Sequence, residues 1–262
     1  MTFSLIVVLA SLKMFIFELF KPARRWVSVD NWWMRAFILN AIGWLTIFIY
    51  GTSLSSWLVE HRLWSADELG VIGGAVVGYL VLSFVNYWWH LLRHQSTFFW
   101  RWFHQIHHSP QRIEVITTFY KHPIEAFVDS LLAAPILYLV VGLGIKAAAG
   151  ALLLAGMIEI FYHWNIRTPH WLGYIIQRPE SHCVHHQEGL HHYNYSDLPI
   201  WDMMFGTFRN PRDWNEKCGL GQEVEHQLVK MLCGVNLTPR KPVKDKPLFI
   251  EYVSTGKALL KN

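Results

Sequence analysis

Apolar residues in this chain come in continuous blocks rather than in the alternating patterns of a soluble domain. Five runs, at 4–20, 36–50, 70–89, 127–144 and 147–162, are long enough, or nearly so, to cross about 30 Å of hydrocarbon as helices. The second is short, which allows a partly re-entrant segment. The first holds Lys13 and Glu18 and lacks both a basic start and a small-residue cleavage site, so it reads as a retained anchor or an interfacial helix. Little more than Lys146 separates the last two, which predicts a tight helical hairpin. Trp26, Trp32, Trp33, Trp57, Trp64, Trp88, Trp89 and Trp164 cluster near the run ends, as interfacial aromatic belts do. Gly70, Gly73, Gly74 and Gly78 give the small-residue spacing of closely packed membrane helices. No repeat and no long β pattern is present. The expected fold is an all-α integral membrane protein with four to five transmembrane helices.

Charge then orients the chain. Charged residues are only 16% of the sequence, against roughly 25% in a soluble globular protein, so little polar surface offsets the apolar runs. The net charge of +4 is spread over loops and tail, which disfavours nucleic acid and suits an anionic membrane surface. Lys21, Arg24, Arg25 and Arg35 put the first loop inside, while Glu60, Asp67 and Glu68 suit the second to the outside. The chain then returns to the cytosol at His90, and again after the hairpin at Trp164. This reading divides the sequence into N-terminal helices (1–89), a central domain (90–210) that includes the 127–162 hairpin, and a polar basic tail (211–262) with a Pro/Lys-rich piece at 239–247.

The chemistry lies in the histidines. Thirteen of fifteen fall between His90 and His192. His90 and His94 form a His-x-x-x-His pair, and His-x-x-His-His occurs twice, at His104/His107/His108 and His182/His185/His186. With histidine at 15 of 262 positions, chance gives roughly 0.05 copies of such a triplet, so two copies mark a built site. On a helix, positions i, i+3 and i+4 share a face, so each triplet is expected to aim three imidazoles at one point. Imidazole suits iron, zinc, copper or nickel, not magnesium or calcium. Eight histidines exceed what one tetrahedral ion uses, which implies two metals. The zinc-protease pattern H-E-x-x-H is absent. The glycine-rich stretch Gly142-Leu-Gly144-Ile-Lys146-Ala147 has no strand before it and is not a dinucleotide fingerprint. Cys183, Cys218 and Cys233 form no C-x-x-C pair and offer no thiolate site.

The pieces W-W-H-L-L-R-H, F-H-Q-I-H-H-S, K-H-P-I-E, F-Y-H-W-N-I, P-E-S-H-C-V-H-H, N-Y-S and W-D-M-M-F-G-T-F, spread over residues 90 to 208, resemble the fatty acid hydroxylase, or sterol desaturase, superfamily. That resemblance implies a helical membrane enzyme with a cytosolic cap carrying a histidine-ligated dimetal site, expected to hold two iron ions, with zinc as a substitute on purification. It implies O2 as co-substrate and hydroxylation or desaturation of a fatty acyl, sterol or related lipid. Carried over, the ligands are His90, His94, His104, His107, His108, His182, His185 and His186, with His163 at the end of the hairpin. His122 stands between ligand and supporting partner. Glu159 occupies the place where some members carry another histidine, four residues before His163, so it either binds metal or holds His163. Glu125, His192 and Asn194 are further candidates for ligand or support, with His191 beside them. Ser196 stands where the family usually has glycine. Lone His61, His170 and His226 read as surface or interfacial residues.

No haem-domain His-Pro-Gly-Gly signature and no iron–sulfur cysteine set occurs. The resemblance therefore implies a separate electron donor of the cytochrome b5, ferredoxin or reductase type, docking on the basic cytosolic face. The compact length favours a bacterial inner membrane over the endoplasmic reticulum. The rival reading is a non-catalytic membrane protein that binds or transports metal, or binds haem. It is disfavoured because the histidines lie mostly beyond the helix ends and stand in adjacent doublets.

Overall fold

The computed structural model describes residues 2–238, and every named element among them is a helix. α1 covers Thr2–Phe20, α2 Trp32–Glu60 and α3 Gly70–Gln95. α4 (Thr97–Phe99) runs through a π-helical turn (Trp100–His104) into α5 (Gln105–His108). α6 (Pro123–Pro135) continues into a second π turn (Ile136–Val140) and is followed by α7 (Ile145–His163). Short helices build the cap: α8 Pro179–His185, α9 Pro199–Met204, α10 Gln222–Glu225 and α11 Leu228–Leu232.

Among the described residues, four helices are long and apolar enough to cross a membrane, with spans Trp32–Ile49, Asp67–Gln95, Pro123–Val140 and Ile145–His163. The second predicted run proves to be no re-entrant piece. α2 continues past Tyr50 to Glu60, and its 29 residues extend about 44 Å at 1.5 Å per residue. The serines and threonines at 52–56 lower the hydropathy there, but a helix satisfies its backbone internally and needs no apolar run to persist. α1 packs on α7. Its buried Glu18 carboxylate accepts the backbone N–H groups of Val115 (3.0 and 3.1 Å) and Asn165 (3.1 Å), which ties this end of α1 to the cap.

α3 and α7 pack through small residues, as the glycine spacing predicts. A Cβ on Gly74 would lie 2.9 Å from the Ala147 Cβ, and one on Gly150 would lie 2.8 Å from the Ala75 Cβ. Gly78 meets Leu143, Leu137 and Ala151 in the same way, inside a buried cluster completed by Leu58, Tyr79 and Leu82. The α6–α7 turn is set by Gly142, whose φ of +77° and 2.5 Å clearance to Trp64 admit no side chain. That turn meets the α2–α3 loop directly, through Ala66 N–H to Gly142 O at 2.9 Å. The ends of α3 and α7 and the start of α6 therefore lie together at the opposite end of the bundle, beneath the cap.

The segment after Asn210 is more than the tail expected from its polarity. Trp214, Cys218, Glu225 and Met231 are buried. Glu225 joins Arg35 on α2 (2.7 Å to its carbonyl) to Gln111 (3.1 Å), and the Gln105 side chain bonds Val235 and Leu237. A polar stretch can pack when its groups are satisfied by neighbouring loops, which hydropathy does not register. The 239–247 piece lies outside the described residues.

Candidate metal centre

Nine histidines converge in two groups, and in each group the ligand atoms lie within 4.8 Å of one another. One group is His90, His94, His104, His108 and His185; the other is His107, His163, His182 and His186. His90 and His94 lie one turn apart at the end of α3, and His163 ends α7. Pro179 starts α8, where the missing N–H costs nothing, and α8 presents His182 and His185, with His186 as its cap.

Each triplet is divided, contrary to the expectation of three imidazoles on one point. His104 and His108 serve one group and His107 the other; His182 and His186 serve the second group and His185 the first. Residues i and i+4 on a helix lie closer in angle than either does to i+3, so two close centres can be served from one turn. The π turn that ends at His104 sets the phase of this segment. Each triplet thus bridges both groups.

The distances test whether metals fit. His90 Nε2 lies 2.8 Å and His108 Nε2 3.1 Å from His104 Nε2. In the other group His163 Nε2 stands 3.3 Å from His107 Nε2 and 3.0 Å from His182 Nε2, which is 3.0 Å from His186 Nε2. Around an ion at about 2.1 Å, neighbouring ligand nitrogens lie about 3.0–3.4 Å apart. The opposite ring atoms settle the tautomers. His90 Nδ1–H donates to the Tyr195 carbonyl (2.6 Å), His104 Nδ1–H to Glu125 (2.9 Å), His185 Nδ1–H to the Tyr193 carbonyl (2.7 Å) and His163 Nδ1–H to the Glu159 carbonyl (2.8 Å). With Nδ1 protonated, the Nε2 atoms of His90 and His104 face each other as two lone pairs, an arrangement that only a cation between them makes favourable. His185 Nε2 is buried with no hydrogen-bond partner, as a ligand atom should be. The residues fit two ions.

Burial holds His104, His107, His108, His182, His185 and His186 well below the ordinary histidine value of 6.5, and like-charge neighbours add to the effect in each case. The rings are therefore neutral at physiological pH, the form that binds metal.

The remaining candidates take other places. Glu125 bonds His104 and also pairs with buried Arg93, so it orients the His104 ring without entering either group. Glu159 holds His163 through its backbone carbonyl, while its carboxylate pairs with Lys121 at 2.6 Å. His122 lies outside both groups. It caps α6 by accepting the Ile124 N–H (3.0 Å) and donates to the Leu232 carbonyl (3.1 Å), so both ring nitrogens are committed to backbone. Asn194 spans Ser181 O and Arg209 N, both at 2.8 Å, and ties its loop to α8. His191 contacts His108 Nδ1 at 3.1 Å, and His192 faces the Tyr195 hydroxyl at 3.5 Å. His61 and His226 are exposed and His170 is half-buried.

Three further groups support the rings. Arg93 lies between the two α3 histidines, just past the end of the 70–89 apolar run, and was findable as the charge between two candidate ligands. The carbonyls of Tyr193 and Tyr195 were not, because backbone acceptors leave no mark in a sequence. They are aimed by a loop in which His191, Tyr193 and Asn194 hold φ of 48°, 68° and 50°, left-handed values that cost side-chain-bearing residues energy.

Helical membrane spans capped by a double histidine cluster define an integral membrane metalloprotein class. The fatty acid hydroxylase family model matches residues 75–207, half of the chain, and the protein belongs to that family. It is 31% identical over 212 residues to an ornithine lipid hydroxylase, OlsE, of Rhizobium tropici, covering 77% of this chain and 63% of that one. Sphinganine C4-monooxygenase 1 of Arabidopsis thaliana is 25% identical over 137 residues (51% and 53%). The Delta(7)-sterol-C5(6)-desaturase of Nicotiana tabacum is 21% identical over 201 residues (75% and 63%). The chain thus spans between about half and two thirds of these relatives' lengths. No solved structure matches it.

Proposed function

We propose that this protein is an O2-dependent membrane lipid hydroxylase whose two histidine groups hold two iron ions. The observation that carries this reading is the pair of buried, converging Nε2 sets at the membrane end of the cap. Iron held there would supply the redox chemistry that oxidation of an unactivated C–H bond by O2 requires. The protein's share is positioning and exclusion of water. His90, His104, His163 and His185 are held in one tautomer by Glu125 and by the Tyr195, Glu159 and Tyr193 carbonyls. The nine rings, all buried, keep bulk water from the centre.

Loop charge supports a site on the cytosolic face, and the Rhizobium relative supports a bacterial inner membrane. Electrons come from a separate carrier of the cytochrome b5, ferredoxin or reductase type on that face. The substrate is a bilayer lipid bearing an acyl chain, as the ornithine lipid hydroxylase and sphinganine monooxygenase names suggest.

The test compares lipid extracts of a host expressing the protein or its His108→Ala variant by mass spectrometry. A lipid gained at +16 mass only with the unaltered protein is the expected result. A −2 product would replace hydroxylation by desaturation. Identical extracts, from iron-loaded protein with a competent donor, would end the reading.

A further inference from the structure

The nine histidines are enclosed, so a lipid chain needs a way in, and the surroundings of the five-histidine group differ sharply in polarity. On the α6 side stand the Arg93–Glu125 pair and Asp129. Another side is closed by the second histidine group. The α3–α9 side is lined mainly by aromatic rings, with Ser83 and Thr207 as polar contacts among them. Phe84 and Trp88 lie on a membrane-crossing helix with 38% and 37% exposure, so they face lipid. α9 and the residue after it close over them: Trp201 meets Phe84 with ring centroids 5.0 Å apart, and Phe205 meets Trp88 at 4.7 Å and Tyr87 at 5.1 Å. Tyr87, fully buried, meets Tyr195 at 6.2 Å, and the Tyr195 ring lies 5.3–5.6 Å from His94, His185 and His90. An unbroken line of aromatic contacts runs from the lipid-facing surface to the metal ligands.

α9 itself bears on lipid. Its outer face exposes Ile200, Met203 and Met204, and the exposed surface continues onto Trp171 and Ile175. An apolar patch of this kind on a cap, continuous with the lipid face of α3, sits in the acyl–headgroup boundary of the cytosolic leaflet. Side-chain hydrogen bonds cross the seam: the Ser83 hydroxyl donates to Asp197 and contacts Ser196 Oγ (3.4 Å), and the Tyr87 hydroxyl meets Thr207 Oγ1 (3.1 Å). The Trp201 indole N–H donates to Ser83 Oγ (3.0 Å), and the Asp202 carboxylate accepts from Tyr195 N–H, Ser196 N–H and the Thr207 hydroxyl.

We infer that the aromatic seam between α3 and α9 is the acyl-chain site, through which a single chain passes from the cytosolic leaflet to the five-histidine group, with Tyr195 as its inner wall. This rests on the lipid-oxidising reading for its purpose, but not for its test. A chain lying there runs along α3, so the bulk at Phe84 and Phe205 sets how deep it reaches and therefore which carbon meets the metals.

The full chain, metal-loaded, is placed in phosphatidylethanolamine–phosphatidylglycerol vesicles carrying a phospholipid with a diazirine in its acyl chain, irradiated, and mapped by peptide mass spectrometry. Adducts are expected on buried Tyr87 and Tyr195 as well as on exposed Trp88. Phe84→Trp should lower the Tyr195 adduct at least threefold and Phe84→Ala should raise it, with metal content unchanged. Labelling confined to lipid-facing positions, with Tyr87 and Tyr195 clean, overturns the seam. Inner adducts that ignore the size of residue 84 overturn it too. A +16 product with a clean Tyr195 removes the seam alone, and a labelled Tyr195 without oxidised lipid removes the enzyme reading alone.

Discussion

His104 donates its Nδ1–H to Glu125 at 2.9 Å, and the same carboxylate oxygen takes the guanidinium of Arg93, a residue three positions beyond His90. One carboxylate on α6 thus fixes a ring of the five-histidine group and a charge on α3. Replacing it should disturb both. Glu125→Gln is expected to weaken metal binding in the five-histidine group about 10- to 100-fold, read by chelator titration with elemental analysis. Arg93 would also lose its nearer charge partner, keeping Asp129 at 3.9 Å, so the loss stays below the roughly 3–5 kcal/mol of a fully broken buried pair. An unchanged melting temperature and chelator profile would show that Glu125 supports neither.

His107 and His108 are adjacent in the chain yet belong to different groups, their rings 89° apart. His107→Ala and His108→Ala should each weaken a different ion, so that either variant retains about one metal per chain and the double variant none. Equal loss of both metals in each single variant would mean one shared centre instead.

His122→Ala should keep both metals, because its ring nitrogens serve Ile124 N–H and the Leu232 carbonyl. The expected effect is a stability loss of about 0.5–2 kcal/mol, that of a removed helix cap. Metal loss at normal stability would return His122 to the ligand set.

Acid should release the metals and then destabilise the fold. Burial holds His104, His107, His108, His182, His185 and His186 well below 6.5 in the folded chain. Below 6.5 the unfolded chain therefore binds more protons than the folded one, and stability falls as pH drops from there toward the folded values. Melting temperature should be level above about pH 7 and decline below 6.5, with metal loss in the same window. A profile flat to pH 5 would contradict this.

Gly74→Val should separate α3 from α7, since even a Cβ there lies 2.9 Å from Ala147. Overpacking of this kind costs about 1–3 kcal/mol. His90 and His94 ride on α3 and His163 on α7, so thermal stability and metal content should fall together. Loss of neither would show that the two helices have room to shift.

Much of this was legible because its signals are local. Each of the five apolar runs became a helix, since a continuous apolar block needs only its own backbone bonds to hold its shape in a membrane. The paired glycines of α3 lie against Ala147 and Ala151 as their spacing implied. The division of each triplet was not legible. It depends on the phase a π turn imposes before His104 and on the approach of segments about eighty residues apart. The sequence pattern points to the Glu159 side chain acting on His163, but the contact is its carbonyl, an atom every residue shares. The 211–238 segment reads as tail because its burial comes from hydrogen-bonded partners on α2 and α5, not from its own hydropathy.

By itself the sequence determined the membrane helices, the expectation that both histidine blocks share one face, and the imidazole chemistry of the site. Those follow from transfer free energy, loop charge and residue type, each readable one segment at a time. Only the tertiary structure decided which rings gather in which group, which carbonyls and carboxylates bond their Nδ1 atoms, and where aromatic rings run from the outer face of α3 to the five-histidine group. Those are set by distances between segments remote in the chain, which packing alone establishes.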